Sequence, residues 1–500
     1  MAYNFIECDR DTGYLLPPSL RDWLPEGHLA YFIIDAVAQM DLTSIYAKYR
    51  SDGCGNRAYD PAMMTALILY AYSQGERSSR RIERGCEVDV ALRVITANQK
   101  PDYSTICRFR SENEAELQRL FTDVLRLCRE AGLVKVGVVA LDGTKIKGSA
   151  ALSANRRYRH LEEEVERIFR EAKARDEEED VLYGKDKRGD ELPEGLRDRK
   201  SRLRRLQEAK TRLEGESREK AEKQAAKIAE RAVEEESAGC KKRGRKPKEA
   251  DFRPEEEAKA NVTDPESRIM KTRSGYVQGY NAQAVATTGQ IIIAAAVTQE
   301  ANDVRQSKPM IEKAKEELRA AGVEEKIGTV LGDAGYWSED NVKDVDSGGP
   351  ELLIATNKDW KQRQALREQP APRGRIPKGL TGRELMERKL LTKRGRELYR
   401  LRGQTVEPVF GQIKDGRRCD RFMRRGVKAA DSEWSLICST HNLLKLWRSG
   451  KMKFGRLYNK TGLRQIGRGK IKRFLDGKFP FPPTGLPRIR HRQVFCPAYA

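Results

Sequence analysis

Two stretches decide the reading of this chain: Val138-Val139-Ala140-Leu141-Asp142-Gly143-Thr144-Lys145 and Thr329-Val330-Leu331-Gly332-Asp333-Ala334-Gly335-Tyr336. In each, a short apolar run reads as a buried strand that delivers an acid to its C-terminal end, just before a glycine turn. Alternation over 134–141 puts Val136, Val138, Ala140 and Asp142 on one face of the first strand. A third acid, Glu407, opens the apolar stretch from Thr405 to Lys414. There Val406, Phe410 and Ile413 share one helical face, with Glu407, Gly411 and Lys414 on the adjoining stripe. Proline is tolerated in a first helical turn, so Pro408 places Glu407 near a helix start. An Asp before Gly is also an ordinary turn residue, and a Glu at a helix start also suits the dipole. The joint occurrence of the three acids is what argues for chemistry.

Three carboxylates gathered at one sheet edge would repel one another without a cation and would bind a hard, oxygen-loving metal. Mg²⁺ or Mn²⁺ fits, and two ions ~3.5 to 4 Å apart would serve an in-line phosphoryl displacement. The polyanionic substrate this implies agrees with composition: 97 Lys and Arg against 75 Asp and Glu leave a net charge of +22 over 500 residues. Such a balance speaks of partners, with double-stranded DNA foremost. No apolar run approaches the ~20 residues of a membrane span and no signal pattern opens the chain, so a cytoplasmic, nucleoid-associated protein without membrane contact is expected. Nine cysteines are too sparse for a disulfide scaffold, and four scattered histidines with no Cys-x-x-Cys pair argue against zinc.

Moving outward, residues 1–133 read as an all-helical module, with Asp60-Pro61 as a helix start and a possible helix-turn-helix over 80–110. Arg108 and Arg110 would then lie on a DNA-reading helix; an ordinary surface helix gives the same pattern. Residues 151–259 are highly charged and carry a thin seam of Leu196, Leu203, Leu206 and Leu213, the sign of a projecting helical hairpin or a partly disordered spacer. Its basic exit holds Arg243 and Arg245, suited to a minor groove or a linker. A hairpin turning at Thr288-Gly289, a helix over 309–321 and the strand before Asp333 complete a mixed α/β pattern, a sheet flanked by helices. A catalytic domain over 134–150 and 260–450 would precede a basic tail at 451–500. Lys145, Lys147, Tyr399, Arg402 and Lys414 are placed to meet DNA phosphates, and Tyr336 and Trp337 to stack on a base or pack inside.

The segments Ala140-Leu-Asp-Gly-Thr-Lys-Ile-Lys147, Glu300-Ala-Asn-Asp303, Leu331-Gly-Asp-Ala-Gly-Tyr-Trp-Ser338 and Gln404-Thr-Val-Glu-Pro-Val-Phe-Gly-Gln-Ile-Lys414 together resemble bacterial insertion-sequence DDE transposases. The resemblance is to the insertion sequence four and five group, in particular the family with a long charged insertion after the first Asp, and covers most of residues 15 to 447. It implies an RNase H-like catalytic core and a metal-binding triad of Asp142, Asp333 and Glu407. It also implies a Glu-helix signature of Tyr399, Arg402, Glu407 and Lys414, although one residue more than usual separates Arg402 from Glu407. The activity implied is hydrolysis at transposon ends followed by 3′-hydroxyl attack on target DNA, by a homodimer on paired terminal inverted repeats. A nuclease that never joins ends, or a non-catalytic DNA-binding protein, are the alternatives.

Overall fold

The computed structural model describes residues 19–50, 57–168, 170, 194–238, 240, 247–272, 275–343, 349–357, 359–377 and 379–452. Their strands are β1 (Val138–Lys147), β2 (Asn155–Arg157), β3 (Lys259–Asn261), β4 (Arg268–Thr272), β5 (Gly275–Thr287), β6 (Ile292–Thr298), β7 (Thr329–Gly332) and β8 (Glu351–Ile354). The first helices are α1 (Leu29–Val37), α2 (Thr43–Tyr46), α3 (Pro61–Ser73), α4 (Ser79–Val88), α5 (Val90–Ile95), α6 (Tyr103–Glu112) and α7 (Glu114–Glu130). There follow α8 (158–168), α9 (Glu194–Ala238), α10 (Ser307–Ala320), α11 (Glu339–Lys343), α12 (Asp359–Glu368), α13 (Gly382–Leu391), α14 (Lys393–Gly411) and α15 (Val427–Ser449).

β1 is the hinge of a mixed sheet. On one side it pairs antiparallel with β5, which carries β4 along its first half and β6 along its second. On the other side it pairs parallel with β7, and β7 with β8. The sequence explains the split: Thr329–Gly332 is buried throughout, as a strand covered on both faces must be. The expected hairpin joins β5 to β6, but the left-handed residue is Gln290 (φ 60°) rather than Gly289.

The glycine turn expected after Asp142 does not form, because antiparallel pairing with β5 carries β1 on to Lys147. Gly143 serves a close approach instead: a Cβ there would stand 2.3 Å from Gln283 Nε2 and 2.8 Å from Asp303 Oδ1. What does end near Asp142 is the parallel pairing, whose last partners are Ala140 and Leu331.

α15 is buried along most of its length, with Ser432, Glu433, Thr440 and Asn442 buried beside its apolar residues. It lies on β6 and is covered in turn by α3 and α7, so the N-terminal helices pack onto the sheet side of the molecule, with all described residues in one compact unit. Polar side chains fix the register. Asn442 receives the Ile292 N–H at 2.9 Å and donates to the Ile292 carbonyl at 2.7 Å, and Trp434 Nε1 donates to the Gln283 carbonyl at 2.9 Å. Buried Glu433 pairs with Arg77 at 3.3 Å and accepts the N–H groups of Met423 and Arg424, joining α15 to the loop after α3. α15 stops at Gly450 in a left-handed conformation.

The charged insertion contains its own small core. Leu161 and Val165 of α8 pack on Leu206, Ala209 and Leu213 of the 45-residue α9, with Leu203 partly buried against them. The two-stranded ribbon of β2 and β3 ties this pair to the sheet end of the chain. Most of the turn expected between the two arms lies outside the described residues, as do Arg243 and Arg245 and the tail from 453 onward.

Candidate active site

The register of the parallel pair brings the two aspartates level. Ala140 faces Leu331, and two residues beyond each stand Asp142 and Asp333. Asp142 Oδ1 accepts its neighbour Gly143 N–H at 2.8 Å, and Asp333 Oδ1 accepts the Gly335 N–H at 2.9 Å, each bond fixing a rotamer.

Glu407 arrives from α14, which packs across β1, β5 and β7. The proline argument for a helix start fails here, since Pro408 sits inside α14, well beyond its first turn. Proline has no N–H to give the carbonyl four residues back, that of Gln404. Gln290 Nε2, reaching from the β5–β6 turn, donates to that carbonyl at 3.1 Å. A tertiary hydrogen bond thus replaces the missing helical one. Beyond Gly411 the helix widens into a π-turn over Gln412–Gly416, from which Lys414 Nζ donates to Thr144 Oγ1 at 3.1 Å and to the Lys145 carbonyl at 3.3 Å.

All three acids meet on one cation. Arg402 Nη2 lies 3.3 Å from Asp142 Oδ2 and 4.0 Å from Asp333 Oδ2, and Nη1 lies 3.4 Å from Glu407 Oε1. Arg402 is 6% exposed, so it is a buried bridge between carboxylates and not a surface contact for phosphate. Burial disfavours its charge, but Asp142, Tyr399, Asp333 and Glu407 outweigh that and hold its pKa above the usual arginine value. Asp142 shows the opposite balance. Burial, helped by the charges of Asp333 and Asp303, pushes it up to about 7 against the pull of Arg402 and the Gly143 N–H.

Among the described residues no three Asp, Glu, His or Cys side chains already stand in an arrangement that would hold a metal ion. The donor chemistry nevertheless fits one. Asp142, Asp333 and Glu407 are hard oxygen donors around a position that carries positive charge, and Asp142 is held partly protonated for want of more.

The remaining sequence candidates divide. Lys145 pairs with Asp303 at 3.4 Å, its pKa lowered by burial, and Lys147 pairs with Asp420 at 3.2 Å. Tyr399 is buried beside Arg402, and Tyr336 is fully buried with its hydroxyl on Gln283 Oε1, which leaves no face for a base. Asp102 caps α6, accepting the Thr105 N–H. On that helix Arg108 is exposed, but Arg110 turns inward to Tyr72, the Arg77 carbonyl and Ser79, which takes it off the reading face. Sequence reasoning gave no role to three residues beside the acids: Asp303 and its donors Asn281 (2.6 Å) and Gln283 (2.7 Å). The signal for them is two amides at alternate positions in an otherwise apolar strand, followed by an Asn-Asp pair.

Residues 18–112 match the family described as Transposase domain (DUF772), and residues 245–443 match Transposase DDE domain. The chain carries two transposase domains. They support a DNA transposase role, with DNA as partner. Asp333 and Glu407 lie inside the second match, whereas β1 with Asp142 lies between the two. No curated protein and no solved structure matches the chain. No helix of the described residues is long and apolar enough to cross a membrane.

Proposed function

We propose that this transposase is an insertion-sequence enzyme of the DDE type, of the group with a long charged insertion after its first Asp, in which Asp142, Asp333 and Glu407 hold Mg²⁺ or Mn²⁺. The observation that carries the reading is the convergence of three acids, from β1, the end of β7 and α14, on the single guanidinium of Arg402. The strand order β6-β5-β1-β7-β8, antiparallel and then parallel, supports an RNase H-like core.

When bound, two such ions would activate the attacking oxygen and stabilise the leaving one at a phosphodiester. The chain's own contribution is alignment. Gly143 and Gly335 N–H groups hold the two aspartates, Lys414 ties α14 to β1, and Arg402 keeps the acids together and shields their repulsion. Reaction would hydrolyse the transposon end and then present the freed 3′-hydroxyl to target DNA, with two protomers serving two ends.

The test uses oligonucleotide duplexes of the element's terminal repeats, uncut and precut, with Mg²⁺. Cleavage and joining are expected from the wild type, with both lost in Asp142→Asn, Asp333→Asn and Glu407→Gln proteins that fold. Cleavage without joining of precut ends would mark a nuclease, and joining retained by the three variants would remove the site assignment.

A further inference from the structure

A second cluster of charge lies against the π-turn. Gln412, Gly416 and Arg417 face His441, Leu444, Lys445 and Arg448 of α15 across a cleft of about 150 Å³. In a chain laced with ion pairs, the three cations here have only neutral partners among the described residues. Arg417 donates to Thr440 Oγ1 at 2.7 Å and to the Ile437 carbonyl at 3.1 Å, and Lys445 to Gln290 Oε1 at 2.6 Å. Arg448, at the last turn of α15, is exposed. His441 adds no charge: its Nε2–H is fixed on the Gln290 carbonyl at 2.9 Å, and burial together with Arg417 and Lys445 lowers its pKa to about 3.

Like charges brought together without an acid cost stability, since each is disfavoured both by its neighbours and by lost water. Burial is the main cause that lowers the pKa of Arg417 and of Lys445, and Arg448 adds to both. The cleft is far smaller than the ~300 to 1,000 Å³ of small-molecule sites, which suits one compact oxyanion.

We propose that this cleft is a phosphate-binding pocket in which Arg417, Lys445 and Arg448 take one phosphate group, supplied by the backbone of bound DNA. Its wall is the turn that also carries Lys414 to β1, so a phosphate seated there would brace the C-terminal end of α14, and with it Glu407. The DNA source rests on the proposed function; the pocket itself does not.

Inorganic phosphate tests the pocket. At constant ionic strength, replacing chloride by phosphate is expected to raise the melting temperature of the full chain by a few degrees and to saturate. The Lys445→Met/Arg448→Ala double variant is expected to show no phosphate response, yet to melt no lower than the wild type in chloride, because repulsion is relieved. No phosphate-specific rise in the wild type, or an equal rise in the variant, overturns the pocket. Duplex DNA tests the source. The variant should bind unrelated duplexes more weakly by the same factor and show a slope of log K against log salt smaller by about 1, for the one phosphate no longer held. An unchanged slope would overturn the DNA source and leave a site for a small phosphate. Failure of the wild type to bind any duplex would instead count against the transposase reading, with the phosphate titration still deciding the pocket.

Discussion

Replacing Asp142 by Asn should stabilise the metal-free protein, and increasingly so as pH rises. Asp142 keeps only 16% of its side-chain surface, and its pKa rises from 3.8 to about 7 in the fold. The sign follows from proton counting. Between those values the unfolded chain has lost the proton that the folded chain retains, so stability falls from about pH 4 upward and levels off above pH 7. At about 1.4 kcal/mol per tenfold change in the protonation equilibrium, the ionisation costs roughly 4 kcal/mol in full and about 2–3 kcal/mol between pH 5 and pH 8. Breaking the ion pair with Arg402 takes something from the gain, but Asp333 and Glu407 still hold that guanidinium. Urea unfolding of both proteins with EDTA at pH 5 and pH 8 reads the difference directly. A gap between variant and wild type that stays the same at the two pH values would refute the argument. So would a variant less stable than wild type at pH 8.

Arg402→Met should lose about 2–4 kcal/mol without metal at pH 8, since three acids are left without their shared cation, and should gain more in melting temperature from Mn²⁺ than the wild type does; equal gains would show that Arg402 does not stand where a cation would. Gln290→Ala should cost about 1–2 kcal/mol, and less in a Pro408→Ala background, where the restored N–H serves the Gln404 carbonyl; an equal cost in both backgrounds, measured as a double-mutant cycle, would reject the substitution of one bond for the other. Glu433→Gln should destabilise by about 3 kcal/mol in the same unfolding assay, because Arg77 would be left buried and unpaired; a change under about 0.5 kcal/mol would mean that water already serves this pair.

The strands that carry Asp142 and Asp333 were legible because a buried strand writes its burial as a run of apolar residues, although the acid marks the strand's end only in β7 and stands midway along β1. Local rules misled where a distant side chain supplied what the local chain lacked. Pro408 forbids a helix interior only if nothing else serves the Gln404 carbonyl, and Gln290, more than a hundred residues earlier, does so. Gly143 looked like a turn because glycine is usually chosen for its backbone freedom; here it is chosen for the missing Cβ, which leaves room for Gln283 and Asp303. Arg402 and Arg110 were assigned to DNA by charge, yet a guanidinium has a planar fork of donors that serves buried acceptors equally well. Sequence gives the charge, and only the fold gives the direction.

The same contrast explains how an acidic centre persists in so basic a chain. One guanidinium shared among three carboxylates lets them approach, but it does not offset the burial of Asp142, as that residue's raised pKa records. A second arginine would have neutralised the centre and made a plain structural network. Lys145, on β1 with Asp142, pairs with Asp303 at 3.4 Å, and Asp303 is further held by Asn281 and Gln283. These three residues therefore matter to the acids: releasing Lys145 would lower the Asp142 pKa and weaken the site's demand for further positive charge. The acids remain together with Asp142 resisting ionisation, which is the electrostatic condition under which a divalent ion would bind.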